Sequence, residues 1–273
     1  METLVVITCG FYFLSAAGYL FYLIFQKDVL QRVGFGLLLA GFAGHTVVMA
    51  FAWYQSGHIP VRNLYETLLM AGWATAGIFL AFSHRFNLKI FGIYAAPLIT
   101  FIMLVATQVP RVPTQARPIF DNFWLVMHIF TIFLGEAALA LACGAGVFYL
   151  LQERANKTKH HGFFYTRLPS LELLDGVGYT CLIVGCTLMT FGLITGIIYA
   201  KSVWGRFWSW DPKEVWAGIT WLLYAVLLHE RLTVGWRGRR SAILAIIGFA
   251  IVLFTLFGVN FFLKGHHGIF TRF

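Results

Sequence analysis

Residues Lys201–Trp216 read Lys-Ser-Val-Trp-Gly-Arg-Phe-Trp-Ser-Trp-Asp-Pro-Lys-Glu-Val-Trp and hold four of the chain's nine tryptophans. We call this stretch the tryptophan segment. Apolar runs long enough to span a bilayer flank it on both sides. Within it, Trp204, Phe207 and Trp208 have the i, i+3, i+4 spacing that places three side chains on one face of a helical turn. The spacing therefore predicts an aromatic shelf at a membrane surface.

The second half of the tryptophan segment predicts the start of a helix. Asp211 stands at the N-cap position, Pro212 at the first helical position and Glu214 at the third. The apolar residues that follow predict that this helix enters the membrane. Alone, the same residues are also typical of an interfacial aromatic belt and an ordinary helix cap.

The composition indicates an all-α polytopic membrane protein. Of the 273 residues, 59% are hydrophobic and 11% are charged, whereas soluble domains carry about 25% charged residues. We expect a single transmembrane domain over residues 1–273, and we interpret the first apolar run as a retained span, since it has no basic leader and no clear cleavage site. About eight transmembrane helices are predicted, at residues 3–26, 34–56, 64–83, 90–107, 123–151, 175–200, 215–232 and 241–263.

The distribution of positive charge predicts the orientation of the spans. Loops 26–33, 84–89, 152–174 and 230–240 hold 2, 2, 4 and 4 Lys and Arg residues, which is 12 of the chain's 20. The positive-inside rule places these four loops on the inner side. Both termini and the tryptophan segment are therefore expected on the outer side.

The net charge of +9 and the four cysteines point to no further chemistry. No basic stretch is long enough to follow a phosphate backbone, which argues against nucleic-acid binding. None of the cysteines forms a Cys-x-x-Cys pair, so a thiol relay within the chain is not expected.

Histidines near span ends are the candidate metal ligands. His128 lies about five residues into the fifth span, and His266 and His267 follow the eighth, all on the predicted outer side. Two imidazoles from different spans can bracket a flat aromatic ligand whose faces indole rings cover, and haem suits such a site. Cationic candidates for its propionates are Arg62, Arg111, Arg117, Arg206 and Lys213.

His229 belongs to a different depth of the membrane. It follows Trp216 by thirteen residues, which is about 20 Å along a helix, so it cannot share a metal ion with His128. If it binds haem, the chain has a second site near the inner leaflet. His45, near the middle of the second span, is a further candidate. A single histidine at a span end is also often an ordinary hydrogen-bonding group.

The segment Trp204-Gly205-Arg206-Phe207-Trp208-Ser209-Trp210-Asp211 resembles the WWD signature, Trp-Gly-x-x-Trp-x-Trp-Asp, of haem-handling proteins in cytochrome c assembly. Other stretches resemble the CcsA/ResC branch of that family. They are Gly57-His58-Ile59-Pro60, Asn63-Leu64-Tyr65-Glu66, Trp221-Leu222-Leu223-Tyr224 ending at His229, and Val259-Asn260-Phe261-Phe262-Leu263 ending at Gly265-His266-His267. The resemblance covers most of the chain.

The resemblance implies an outer haem b site with His128 and either His266 or His267 as axial ligands. The spacing after Gly265 favours His267, but Gly268 stands where the family often has serine, so both remain open. His229 matches the deeper ligand histidine of the family. The implied haem contacts in the tryptophan segment are Trp204, Gly205, Trp208, Trp210, Asp211 and Trp216, with Arg206, Glu214 and His45 as additional candidates.

The implied function is that of the haem-handling subunit of a cytochrome c synthase. It would move haem from the inner leaflet to the outer WWD site and present it for thioether attachment to a Cys-x-x-Cys-His segment of apocytochrome c. A CcsB/ResB-like membrane subunit would be its partner, and enzymatic activity would require that partner. The implied location is a bacterial inner membrane or a thylakoid-type membrane.

Three other functions stay open at this point. The chain can be a haem-delivery protein that loads a chaperone without forming a covalent bond. It can be a non-haem membrane transporter, although Glu136 is the one acid well away from a span end, which makes proton coupling unattractive. It can also be a structural partner of respiratory complexes. Visible spectra of the protein with and without its presumed partner would discriminate these classes.

Overall fold

The computed structural model describes residues 2–86, 89–110, 122–158 and 162–263, and in these residues the fold is all-helical. The long helices are α1 (Glu2–Phe25), α2 (Asp28–Ser56), α3 (Leu64–Phe86), α4 (Gly92–Gln108), α5 (Phe123–Thr158), α6 (Leu171–Trp204), α7 (Pro212–Thr233) and α8 (Arg239–Leu253). A 3₁₀ turn (Lys89–Phe91) precedes α4, and α8 continues through a π-helical turn (Phe254–Gly258) into the short α9 (Val259–Phe262). The prediction of a polytopic helical membrane protein with about eight helices is confirmed.

Six helices within the described residues are long and apolar enough to cross a membrane. They are α1, α2, α3, α5, α6 and the continuous helix Arg239–Gly258, while α4 is apolar but only 17 residues long. The chain is therefore an integral membrane protein. The orientation of its termini stays a prediction.

The chain divides into two compact units, which are described separately. Unit 1 comprises Met1–Ala116 and His161–Pro169, and unit 2 comprises Arg117–His160 and Ser170–Phe273. The expectation of a single transmembrane domain over residues 1–273 stays a prediction.

Unit 1 is built from α1 to α4, and small residues bring α1 and α2 together. A Cβ on Gly18 would lie 3.1 Å from the Cα of Gly34, so the two helices cross with almost no side chain between them. At the same crossing the Ser15 hydroxyl donates to the Gly34 carbonyl at 2.7 Å. Tyr12, whose side chain is fully buried, packs against Gly41 of α2.

Unit 2 is built from α5 to α9, and its core lies between α5, α6, α7 and α8. A Cβ on Gly135 of α5 would lie 3.1 Å from the Gly185 carbonyl oxygen of α6, which again indicates a close helix crossing. Tyr224 of α7 is fully buried and packs against Gly248 of α8. The core residues are Leu139, Leu182, Cys186, Met189, Tyr224, Leu227 and Val252. This framework positions His128 on α5 and the two ends of α7, where the tryptophan segment and His229 lie.

Candidate functional site

Helix α6 ends at Trp204, in the middle of the tryptophan segment. Gly205 adopts a left-handed backbone with φ of 73°, and its N–H donates to the Lys201 carbonyl. The Lys201 ammonium in turn donates to the Gly205 carbonyl at 2.8 Å. The prediction of one helical face for Trp204, Phe207 and Trp208 was therefore wrong, because a glycine at the C-cap takes a conformation that stops the helix after Trp204.

The residues after Gly205 form an irregular connection that displays two indoles. Trp208 is 36% exposed and Trp210 is 78% exposed, and their ring centroids lie 6.0 Å apart at an interplanar angle of 88°. Trp210 has a positive φ of 59°, which is uncommon for a side chain of this size. The other two indoles face protein neighbours, since Trp204 contacts Tyr199 and Trp216 contacts Phe254. The segment thus presents Trp208 and Trp210 outward while Trp204 and Trp216 anchor it.

The predicted start of α7 is confirmed. Asp211 is the N-cap and its side chain accepts a hydrogen bond from the Lys213 N–H at 2.9 Å, with Pro212 as the first helical residue. Glu214 has a role that the sequence pattern did not predict. Its carboxylate accepts from both the N–H and the hydroxyl of Ser209, at 2.8 and 2.9 Å. This contact folds the indole-bearing connection back onto the first turn of α7.

His128 lies in the second turn of α5 and is half-buried against α6. Its Nδ1 lies 2.7 Å from the Gly192 carbonyl oxygen. A carbonyl only accepts, so Nδ1 carries the proton and the lone pair of the neutral ring is on Nε2. Metal-binding histidines usually have this arrangement, with the second ring nitrogen held by a hydrogen bond. Gly196 provides the space, since a Cβ there would lie 2.6 Å from Nδ1.

His128 and the tryptophan segment lie at the same end of unit 2. The Asn122 side chain, just before α5, donates to the Ser202 hydroxyl near the end of α6 at 3.1 Å. Helices α5 and α6 therefore pack antiparallel, with the start of one beside the end of the other. The structure brings His128 and the indoles to one end of the unit, as the sequence predicted.

His229 lies at the opposite end of α7. It is exposed, and it shares a stripe along the helix with the exposed residues Ile219, Leu222, Val226 and Leu232. Because α7 is continuous from Pro212 to Thr233, the thirteen residues between Trp216 and His229 span about 20 Å. His229 therefore lies far along α7 from the tryptophan segment, and the expectation that it shares no metal ion with His128 stays a prediction.

The remaining candidates have different surroundings. Arg206 is exposed beside the indoles, and the Lys213 ammonium interacts electrostatically with the carboxylates of Glu136 and Asp211. His45 lies in unit 1, fully buried, with its Nδ1 3.3 Å from the Tyr12 hydroxyl. Arg62 is buried in unit 1 as well. Arg111, Arg117, His266 and His267 lie outside the described residues.

Sequence reasoning missed Gly192, Gly196 and the polar contacts at the C-terminal end of α7. The glycines recur with a four-residue spacing on α6, and this pattern signals close packing against a neighbouring helix. It does not identify the side chain that uses the space. The polar contacts join Asp175 to Arg231 and to the backbone of Gly238. No local pattern links those residues.

Taken together, the fold and the site define a polytopic helical membrane protein. At one end of a helical unit it presents an aromatic segment and a histidine whose ring is oriented by a backbone hydrogen bond. Comparison with known proteins narrows this class. Residues 61–267 match the family model described as cytochrome C assembly protein. That range contains His128, the tryptophan segment, His229 and His267.

Curated relatives cover most of the chain. A cytochrome c biogenesis protein CcsA from Guillardia theta is 33% identical over 93% of this chain and 91% of its own length. The CcsA protein of Prochlorococcus marinus subsp. pastoris is 37% identical over 81% of this chain and 80% of its own length. The chain belongs to the cytochrome c assembly protein family, as a CcsA-type cytochrome c biogenesis protein.

A solved structure of the cytochrome c heme lyase CcmF has the same fold. Its TM-score to this chain is 0.65, at 16% sequence identity. The similarity covers 98% of this chain but 47% of the CcmF chain, so this chain spans about half of that protein. At this identity the comparison supports the fold alone.

Proposed function

We propose that the chain is the haem-handling subunit of a cytochrome c synthase. It receives haem b near the inner leaflet, presents it at the tryptophan segment on the outer side, and holds it for attachment to apocytochrome c. A CcsB/ResB-like membrane subunit completes the enzyme. The membrane is a bacterial inner membrane or a thylakoid-type membrane, with the basic loops on the inner side.

The observation that carries this proposal is that His128, whose ring is oriented by a hydrogen bond, and two exposed indoles lie toward the same end of unit 2. The Nδ1 proton of His128 is committed to the Gly192 carbonyl at 2.7 Å. This hydrogen bond orients Nε2 as the iron ligand and raises its basicity. Trp210, 78% exposed, offers an apolar ring surface for a porphyrin face, and the exposed Arg206 offers a donor for a propionate. The residues present therefore fit haem as a substrate.

The second axial ligand of the outer site is His267 or His266 in this proposal. Both follow α9 at the end of the chain, and the assignment rests on the family resemblance. With two imidazoles on the iron, one ligand must yield when the histidine of the Cys-x-x-Cys-His segment arrives. The weaker of the two ligands is the one expected to leave.

The covalent step requires orientation rather than a redox change. Each cysteine S–H of apocytochrome c adds across one haem vinyl group, so that sulphur bonds to one vinyl carbon and the proton goes to the other. No electron is gained or lost. The chain's contribution is to hold haem with one edge open to the peptide, which turns a bimolecular reaction into one between positioned groups.

His229 is the ligand of the inner site in this proposal. It stands on the exposed stripe of α7 among Ile219, Leu222, Val226 and Leu232. A histidine on an outward apolar face of a span fits a ligand shared with a helix of another subunit, because charged or polar groups in lipid require partners. The CcsB/ResB-like subunit would supply the second imidazole.

The first prediction tests both sites together. The full chain is co-purified with its partner from membranes, and visible spectra are recorded for wild type, His128→Ala, His229→Ala and the control His84→Ala, which changes a histidine near the end of α3. We expect His128→Ala and His229→Ala to remove different parts of the low-spin haem spectrum, because the proposal assigns the two histidines to different haem sites, and His229 lies about 20 Å along α7 from Trp216 of the tryptophan segment. His84→Ala should resemble wild type.

Maturation of a reporter cytochrome c completes the test. Haem that resists acid–acetone extraction measures covalent attachment, and we expect His128→Ala to lower it together with the outer-site spectrum. If the wild-type protein binds haem but yields covalent product only after a haem chaperone is added, the delivery function is favoured instead. Wild-type spectra and maturation in both variants would contradict the proposal.

A further inference from the structure

The Asp175 carboxylate is the meeting point of three hydrogen bonds at the inner end of unit 2. The two terminal nitrogens of Arg231 donate to its two oxygens, at 2.9 Å to Oδ1 and 2.6 Å to Oδ2. The backbone N–H of Gly238 donates to Oδ1 at 2.8 Å. We call these three residues the clasp. It joins the first turns of α6, the last turns of α7 and the connection to α8.

The clasp is largely shielded from its surroundings. The side chains of Arg231 and Asp175 are 7% and 17% exposed, and the guanidinium lies over the Tyr179 ring at 4.2 Å from its centroid. Bidentate, stacked pairs of this kind have one favoured geometry, because the planar fork of arginine matches a carboxylate. Gly238 has a φ of 68°, and a Cβ there would lie 2.6 Å from the Tyr149 hydroxyl. The backbone at Gly238 therefore packs closely against Tyr149 of α5.

Helical geometry links the clasp to His229. Residues two apart on a helix point in nearly opposite directions, since each residue turns the helix by about 100°. Arg231 is aligned with the buried residues Tyr224 and Leu227 of α7, and His229 is aligned with the exposed Val226. Holding the Arg231 side chain against α6 therefore holds His229 on the outward face.

We propose that the clasp of Asp175, Arg231 and Gly238 positions His229 for haem ligation by fixing the rotation of the last turns of α7. The proposal rests on the inner haem site of the proposed function. Asp175 and Arg231 act through His229 and do not contact the haem, so they are positioning residues. The last turn of a helix frays most easily, and an axial ligand needs a defined direction toward the iron.

A second ion pair of the same unit offers a matched control. Glu153 of α5 accepts from Lys157 at 2.8 Å and lies 3.9 Å from Arg239. Its side chain is 17% exposed, the same as that of Asp175, but Lys157 and Arg239 are each 63% exposed. Solvated partners make this pair weak, and it does not include α7. Glu153→Gln therefore removes one carboxylate charge without touching the clasp.

The test compares Asp175→Asn, Arg231→Lys and Glu153→Gln in the full chain co-purified with its partner and loaded with haem b. The readout is the His229-dependent part of the visible spectrum, defined as wild type minus His229→Ala and scaled to protein amount. The His128-dependent part, measured in the same samples, reports whether the outer site is intact. We expect Asp175→Asn to weaken haem binding at the His229 site about 10-fold, as loss of a ligand's supporting contacts does. Arg231→Lys should weaken it less, and Glu153→Gln should have no effect.

Each outcome bears on the proposal. Loss of the His229-dependent signal with the His128-dependent signal retained supports the clasp. An unchanged His229-dependent signal in Asp175→Asn overturns it and leaves the proposed function standing. If Asp175→Asn does not accumulate in membranes, Arg231→Lys decides, and a full wild-type signal in that variant overturns the proposal. If His229→Ala itself leaves the spectrum unchanged, the inner haem site fails and the clasp proposal is overturned with it.

Discussion

The two ends of α7, which we call outer and inner after the orientation proposed above, are both held by carboxylates, but in different ways. At the outer end, Asp211 caps the helix through Lys213, and Glu214 binds Ser209 five residues away. At the inner end, Asp175 binds Arg231 and Gly238, which lie 56 and 63 residues further along the chain. One end is organised within a single segment and the other by three separate elements. The comparison indicates that the outer end can form as soon as its segment folds, whereas the inner end depends on assembly of the whole unit.

This difference fits the role proposed for each end. The outer end displays Trp208 and Trp210 on an irregular connection that an incoming peptide can reach. The inner end holds one histidine on a regular helix at a fixed rotation. In the proposed function, a locally folded outer end can present one edge of the haem to the peptide. A rigid inner end can keep His229 directed at the haem iron. Three predictions test the comparison, and they are ordered by expected effect.

The largest effect is expected at the inner end. Arg231→Ala leaves the Asp175 carboxylate largely buried without its guanidinium partner, and loss of one member of such a pair costs about 3 kcal/mol. Arg239→Ala, which removes a 63% exposed partner of Glu153, should cost less than about 1 kcal/mol. Thermal unfolding of both variants in the same detergent measures the difference. Equal costs would show that burial does not distinguish the two ion pairs.

A smaller effect is expected where α5 meets α6. Gly196→Ala would place a Cβ 2.6 Å from the Nδ1 of His128, and overpacking of this kind costs about 2 kcal/mol. The ring must move away from the Gly192 carbonyl, so we expect the His128-dependent haem spectrum to weaken while the His229-dependent part remains. Gly176→Ala is the control, since a Cβ at that glycine of α6 meets nothing within 4 Å. An intact His128-dependent spectrum in Gly196→Ala would contradict the role given to this glycine.

The smallest effect is expected from the helix cap at the outer end. Asp211→Ala removes the side-chain oxygen that accepts from the Lys213 N–H, and loss of an N-cap costs about 1 kcal/mol. Asp211→Asn keeps an oxygen acceptor and should lose less. Unfolding measurements on both variants decide the point. A cost for Asp211→Ala as large as that for Arg231→Ala would remove the contrast between the two ends.

Particular residues mark how far prediction from the sequence reaches. The apolar runs predict the helices, and Asp211-Pro212 predicts the start of α7 to the residue. The aromatic spacing of Trp204, Phe207 and Trp208 misleads, because the conformation of Gly205 outweighs the periodicity. A glycine at a helix end is itself a known stop signal. Here the single glycine at the helix end predicts the structure better than the aromatic periodicity does.

The partners of the candidate ligands are beyond prediction from the sequence. Residue type and depth indicate His128, but its contact with Gly192 joins residues 64 apart. The clasp joins residues 56 apart, and the sequence places Arg231 only in a basic inner loop. Neither contact leaves a pattern within one helix, because each depends on which faces of two helices meet.

By itself, the sequence determined that this is a polytopic helical membrane protein, where its helices lie, how α7 begins and which family it resembles. Those features depend on apolar length, helical periodicity and caps that act within a few residues. Tertiary structure alone decided which nitrogen of His128 carries its proton, which indoles are exposed and which way His229 faces. Those features depend on contacts between helices far apart in the chain, and such contacts exist only once the helices have packed.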